Sequence, residues 1–177
     1  MIGGRLYMVP RKIAEQVLVY NASMLQAAGI TFDNINAQPW DVFKDICKRL
    51  TVVENGTVKS SGAGLMIERS AIFQMFLRGF GGKWIDSVEH KVYLASSNEV
   101  MYGINEIVTG IREGWLYPEG MGDIVNVNYA FSAGDTNISS VCFKTFGAMS
   151  WLTRVGNAYD ALGLAWDFCP MPAFPTH

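Results

Sequence analysis

The residues able to do acid–base or nucleophilic chemistry are few and scattered. His90 and His177 are the two histidines. His90 sits in Val88-Glu89-His90-Lys91, which reads as a turn between two extended pieces, and His177 is the last residue. Without His90 no Cys-His or Ser-His-Asp set can be assembled. Cys47, Cys142 and Cys169 are far apart and in no C-x-x-C spacing, so they read as small buried apolar residues. A Cys142–Cys169 bridge stays open, with no spacing to support it. Asp33-Asn34-Ile35-Asn36 faintly resembles a calcium loop but lacks its turn glycine and distal glutamate, so it reads as a plain loop. Gly79-Phe80-Gly81-Gly82-Lys83-Trp84 follows a helix where a phosphate loop must precede one. Glu15, Glu68 and Asp86 cannot be placed together from sequence as an acid–base pair. The reading is a binding protein, not an enzyme, with no cofactor and no metal.

Aromatic residues carry the stronger signal. There are five tryptophans, and Trp84, Trp115 and Trp151 fall near expected element ends. Element ends are where ligand clefts of α/β folds open. An aromatic face packs on the C–H bonds of a sugar ring while polar neighbours bond its hydroxyls. Core packing is the competing reading for each of them.

Bulk composition narrows the partners. The chain has 177 residues, 50% hydrophobic and 17% charged, with a net charge of −2. That charge gives no electrostatic reason to bind nucleic acid or an anionic membrane. No apolar run approaches the roughly 18 residues of a membrane span. Met1–Arg5 lacks the pattern of a signal peptide, as a piece of a longer secreted precursor would too.

The elements that must position these side chains alternate between helix and strand. Residues 5–21 read as two extended segments around Pro10, and Asn21 caps a helix that stops at Gly29. A second helix opens at Pro39-Trp40-Asp41, with Phe43, Ile46, Cys47 and Leu50 on one face. Asn55-Gly56 signals a hairpin, and Gly62–Ile67 a short buried strand. Ser70 and Ser97 cap two further helices, ended by Gly79–Gly82 and by Gly114. Val92–Leu94 reads as a short strand between them. Residues 115–140 look loop-like. Strands are expected at Val141–Phe143, Ala148–Trp151 and Trp166–Phe168, with a weak helix over Thr153–Leu162. The alternation argues for an α/β layered domain.

In this order the pieces resemble the extracellular solute-binding proteins of family 1, which include maltose-type receptors. Gly4-Arg5-Leu6-Tyr7-Met8-Val9-Pro10 is similar to the family's Gly-Lys-Leu-Tyr-Gly-Val-Pro, and Leu18–Asn21 to its Leu-Tyr-Tyr-Asn. Pro39-Trp40-Asp41, Gly81-Gly82 with Asp86, Leu94–Val100, Gly114–Gly120, Gly147-Ala148-Met149 with Trp151, and Trp166–Pro172 resemble later family segments. Ser132–Ser140 departs from the pattern, and Trp151 lacks the usual preceding glycine.

The resemblance implies a periplasmic-binding-protein type II-like lobe, a mixed sheet flanked by helices. Residues 1–21 would be inter-lobe crossover strands and residues 22–177 the C-terminal α/β lobe of a two-lobed receptor. The strip Leu6–Val19 would then be exposed without its other lobe. The implied function is capture of a small molecule, most often a sugar, for an ABC importer. The implied partners are the missing N-terminal lobe and a membrane permease. The implied location is extracellular or periplasmic, anchored through a region absent from the chain. Carried over position by position, the ligand contacts are Glu68, Ser70, Trp151 and Arg154, then Trp84 and Trp115. The alternative is a sensing lobe for a non-sugar solute such as a peptide or polyamine.

Overall fold

The computed structural model describes residues 15–66, 70–86, 88–94, 96–119, 139–146, 160, 163 and 165–175. In chain order these form β1 (Glu15–Asn21), α1 (Ala22–Ala27), α2 (Phe32–Ile35), α3 (Trp40–Leu50), β2 (Val52–Glu54), β3 (Thr57–Met66), α4 (Ser70–Gly79), β4 (Ile85–Asp86), β5 (Lys91–Val92), α5 (Asn98–Glu113), β6 (Leu116–Glu119), β7 (Ser139–Phe146) and β8 (Trp166–Cys169).

The helix ends follow their capping residues. Asn21 accepts the Met24 N–H at 3.1 Å, and Ser97 accepts that of Val100 at 3.2 Å. Gly114 closes α5 in the left-handed region at φ 81°. Asn55 and Gly56, at φ 51° and 74°, make the tight turn between β2 and β3.

Six strands form one mixed sheet, ordered β2-β3-β7-β1-β8, with β6 also on β3. β3 pairs in parallel with β6 on one side and β7 on the other. β1 lies antiparallel between β7 and β8, and β2 antiparallel to the first half of β3. Thus β3, β6, β7 and β8 run one way, and β1 and β2 the other.

α3 packs closely on β3 because β3 is small where they touch. Ser60, Ser61, Gly62 and Ala63 present little side chain. A Cβ built on Gly62 would lie 1.9 Å from the Cys47 carbonyl oxygen. Thr51 ties the contact, donating to Cys47 O at 2.8 Å and accepting from Gly62 N at 3.1 Å. Above this contact lies an aromatic cluster. Trp40 stacks on Phe174 at 5.1 Å and meets Phe76 and Phe80 edge-on at 5.3 and 5.2 Å.

Several sequence expectations are corrected. Asp33–Asn36 is largely helical: Thr31 and Asn34 form a capping box that starts α2. Gly62–Met66 of the expected strand Gly62–Ile67 form the second half of the longer β3, and the strand expected at Val92–Leu94 is found at Lys91–Val92 as β5. β6 falls inside the stretch read as loop. Pro118 is tolerated there because β6 is short and pairs only with β3 among the described residues. The near end of the Leu6–Val19 strip is not exposed: Leu18 and Val19 are fully buried between β7 and β8. A Cys142–Cys169 bridge is excluded. β1 separates the two strands, and Cys142 and Cys169 pair with neighbouring residues of it, Val19 and Leu18, setting their Cα atoms about 10 Å apart, beyond the roughly 7 Å limit for a disulfide. The expected strand Ala148–Trp151 lies outside the described residues, as does the expected Thr153–Leu162 helix apart from Asp160.

Two predictions follow from these contacts. Gly62→Ala should lower the unfolding free energy by about 3 kcal/mol in urea titration, because α3 must move off the strand. A gain of about 0.5–1 kcal/mol, the usual effect at unhindered extended backbone, would refute the close contact. Tyr20 is buried in β1 opposite Asp167. Burial first, then the Asp167 charge, pushes its phenol up to about 12. Its folded pKa lies above the unfolded value of about 10. Its contribution is therefore complete below pH ~10 and lost as pH rises toward about 12. Tyr20→Phe should flatten the fall in stability across that window; an unchanged slope would refute the assignment.

Candidate functional site

The sheet register brings several strand ends out together. Met66 pairs with Glu119, so β3 and β6 end level. β7 runs beside β3 in register Gly64↔Cys142 and ends at Phe146. Phe146 in turn pairs with Glu15, the first residue of the antiparallel β1. Three carboxyl ends and one amino end therefore share one edge of the sheet. In open α/β sheets the crevice outside the carboxyl ends of the strands is the common ligand position.

The sequence candidates relate to this edge in different ways. Glu68 follows the end of β3 by two residues. Trp151 and Arg154 follow the end of β7 by five and eight. All three lie outside the described residues. Ser70 opens α4 directly after β3, and its backbone is helical. Glu68 and Ser70 thus leave one of two adjacent parallel strands, and Trp151 and Arg154 leave the other.

Trp84 lies elsewhere, half-buried at the base of the β4–β5 hairpin, where its carbonyl accepts the Tyr93 N–H at 2.8 Å. That hairpin is polar at its turn. Asp86 accepts from Lys83 at 2.6 Å, Val88 N at 2.8 Å and Glu89 N at 3.0 Å. The Lys83 ammonium, then these two amides, hold its carboxyl down at about 2. Glu89 accepts the Tyr93 hydroxyl at 2.6 Å, which holds Glu89 below the usual range. His90 is exposed in the turn at φ 52°.

Trp115 is a core residue, 1% exposed, which corrects its reading as a ligand face. Its ring meets Trp40 at 6.2 Å, and its indole N–H donates to Glu113 at 3.1 Å. A ring enclosed on all sides offers no surface to a ligand. The signal for this was present: a tryptophan just after a glycine C-cap turns inward when its own helix covers it. Gly110 confirms the fit, since a Cβ there would lie 2.8 Å from the Trp115 ring.

What sequence reasoning missed at the edge is β6. Tyr117, Pro118 and Glu119 reach it because Leu116–Glu119 pairs with β3. The readable signal was Leu116-Tyr117 immediately after the Gly114 cap. Among the described residues no group of His, Cys, Asp and Glu side chains could hold a metal ion. Cys47 is fully buried, and burial pushes its thiol well above the ordinary range, away from a nucleophilic thiolate. No helix among the described residues is long and apolar enough to cross a membrane.

No family model matches the chain, and no curated protein matches it. Solved structures do. UgpB from Mycobacterium tuberculosis, in complex with glycerophosphocholine, superposes over 99% of this chain with TM-score 0.69 at 18% identity. An ABC transporter solute-binding protein from Thermotoga lettingae, bound with alpha-D-tagatose, does so over 92% with TM-score 0.66 at 20% identity. One from Agrobacterium vitis, with D-mannitol, covers 97% with TM-score 0.68 at 16% identity. The chain spans 40% of the length of each of these three proteins. The mixed sheet flanked by helices is therefore the fold of a periplasmic-binding-protein-like lobe, shared with ABC solute-binding proteins.

Proposed function

We propose that this chain is one lobe of a two-lobed solute-binding receptor that captures a small molecule, most simply a carbohydrate, for an ABC importer. The observation that carries this reading is the shared edge. The ends of β3, β6 and β7 and the start of β1 emerge side by side on a fold whose solved neighbours hold tagatose, mannitol and glycerophosphocholine. Residues 1–21 lead into the sheet through β1 and serve as the crossover from a second lobe. Residues 22–177 form the rest of the lobe. The ligand lies between the lobes and touches Glu68, Ser70, Trp151 and Arg154, with Trp84 at the margin. Trp151 supplies an apolar floor for a sugar ring, while Glu68 and Arg154 bond hydroxyls as charge-assisted partners. Closure about the crossover buries most of the ligand and creates the shape a membrane permease accepts. The work is capture, not catalysis, and belongs on the outer side of the membrane, near an anchored permease.

The test is a thermal-shift screen on the full-length natural protein. The panel is maltotetraose, alpha-D-tagatose, D-mannitol and glycerophosphocholine, with a peptide and a polyamine as controls. A ligand at one hundred times its Kd adds about 2.7 kcal/mol to stability. A shift with a sugar or polyol is expected, and Trp151→Ala or Arg154→Ala should weaken that binding by about tenfold or more, a loss of roughly 1.4 kcal/mol. Trp115→Phe should lower stability and leave affinity unchanged, because what it removes, the bond to Glu113 and part of the ring that packs beside Trp40 and Gly110, lies in the core. Shifts with the peptide or polyamine alone would overturn the carbohydrate assignment. No shift with any panel member would overturn capture of these solutes.

A further inference from the structure

We infer that Phe174 is a positioning residue for the ligand edge: it wedges the far end of α4 and so fixes where the start of that helix sits. The inference rests on the capture reading above only for its functional consequence.

Phe174 arrives from outside the helices it holds. It lies in the segment after β8, and that segment is tied to the start of α3. Trp40 N donates to Ala173 O at 2.9 Å, and Ala173 N donates to Gln38 O at 2.8 Å. The ring then enters between α3 and α4. It stacks on Trp40, tilted by only 19°. It meets Phe76 at 5.4 Å and Phe80 at 5.1 Å, both edge-on. It also closes on Gly79, where a Cβ would lie 2.6 Å from two ring carbons. α4 is thus gripped over its last turn by a ring that the helix itself does not supply.

The grip acts at a distance from the edge. α4 runs from Ser70, just after the carboxyl end of β3, to Gly79 against Phe174. It is a single rigid helix of ten residues, so fixing its last turn fixes its direction. Leu77, Phe80 and Gly82 meet α5 at Val100 and Gly103, also toward its carboxyl end, while Phe73 packs on the core and the helix touches β3 and β7. A loosened far end therefore tilts the helix about these inner contacts and shifts its start at Ser70, the residue that meets a ligand in the capture reading. Binding geometry must hold to about 0.5 Å, so a small change of tilt is felt there.

Gly79 offers a test that separates the wedge from helix stability. In an ordinary helix Gly→Ala stabilises by about 1 kcal/mol. Here the added methyl must displace the Phe174 ring. The experiment uses the full-length natural protein with spin labels at Ala71→Cys and Thr109→Cys, and reads the distance distribution between them without ligand. In parallel it measures the affinity of whichever panel compound, maltotetraose, alpha-D-tagatose or D-mannitol, shifts the wild-type protein. Phe174→Leu and Gly79→Ala should shift or broaden the distance and weaken binding about three- to thirtyfold. Phe174→Tyr keeps the ring and should restore both. Leu25→Ala, a core truncation on α1, should lower stability and move neither. An unchanged distance in Phe174→Leu and Gly79→Ala, or an equal change in Leu25→Ala, overturns the inference. So does a changed distance with unchanged affinity. A changed distance in a protein that binds no panel compound supports the wedge and removes the capture reading instead.

Discussion

The fold depends on one buried polar hydrogen. Trp40 is 3% exposed, and its ring touches Phe43, Phe76, Phe80, Trp115 and Phe174. It therefore joins α3, α4, the α5–β6 junction and the segment after β8. An indole cannot be buried this way unless its N–H finds an acceptor. Glu106 on α5 supplies one at 2.8 Å, and Lys44 neutralises that carboxylate at 3.0 Å. The arrangement repeats one layer along. Trp115 donates to Glu113, and Lys48 pairs with Glu113 at 2.8 Å. The Lys48 ammonium holds the Glu113 carboxyl below its usual range. Lys44 and Lys48 are one turn apart on α3, and Glu106 and Glu113 two turns apart on α5, so each set lies on one helix face. Two tryptophans, two glutamates and two lysines fix how α3 and α5 align across the cluster. The half-exposed Lys48–Glu113 pair adds little by itself; its value is in holding the acceptor that Trp115 needs.

That alignment constrains the sheet beneath. With α3 pinned through Trp40, its middle turn rests on β3, and only a small residue fits at Gly62. Ser61 on the same strand donates to Gly114 O at 3.0 Å, which ties β3 to the end of α5. β6 begins two residues later and has little choice but to pair with β3. The carboxyl edge is thus assembled from above. The aromatic cluster places the helices, the helices place β3 and β6, and β7 adds to β3 and β1 to β7 in register.

Local signals in the sequence were legible and long-range ones were not. Asn21, Ser97 and Gly114 fix helix ends through bonds to their own neighbours, so the caps read correctly. Asn55-Gly56 needs only its own left-handed backbone. β6 escaped because Pro118 and the following glycines look like a loop, while its strand character comes from β3, more than fifty residues earlier. The same holds for Leu18 and Val19. Their apolar run was visible, but not whether it would face another lobe or lie inside this sheet. Trp115 was misread because an element end and a cleft rim coincide only when nothing packs across the end. Here α5 and Trp40 do. The resemblance to family 1 receptors led to the right fold through the order of many weak segments, while three of its six contact positions, Glu68, Trp151 and Arg154, lie outside the described residues.

The internal packing of the sheet and helices and the demands of a solute are separate constraints. A lobe of this kind can hold its sheet and helices constant through internal packing alone. On the capture reading, the segments that leave the carboxyl edge answer to a different requirement, because they must fit a solute rather than a core. Neighbours with this fold hold solutes as different as tagatose, mannitol and glycerophosphocholine. Their identity to this chain is 16–20%, while the fold superposes over more than nine-tenths of it. Such divergence is possible because the edge is set by backbone register, which tolerates almost any side chain that faces the ligand. A tryptophan in the core is held by a carboxylate that must be there. On the capture reading, a tryptophan that follows the edge answers instead to the solute, so nothing in the core dictates its position.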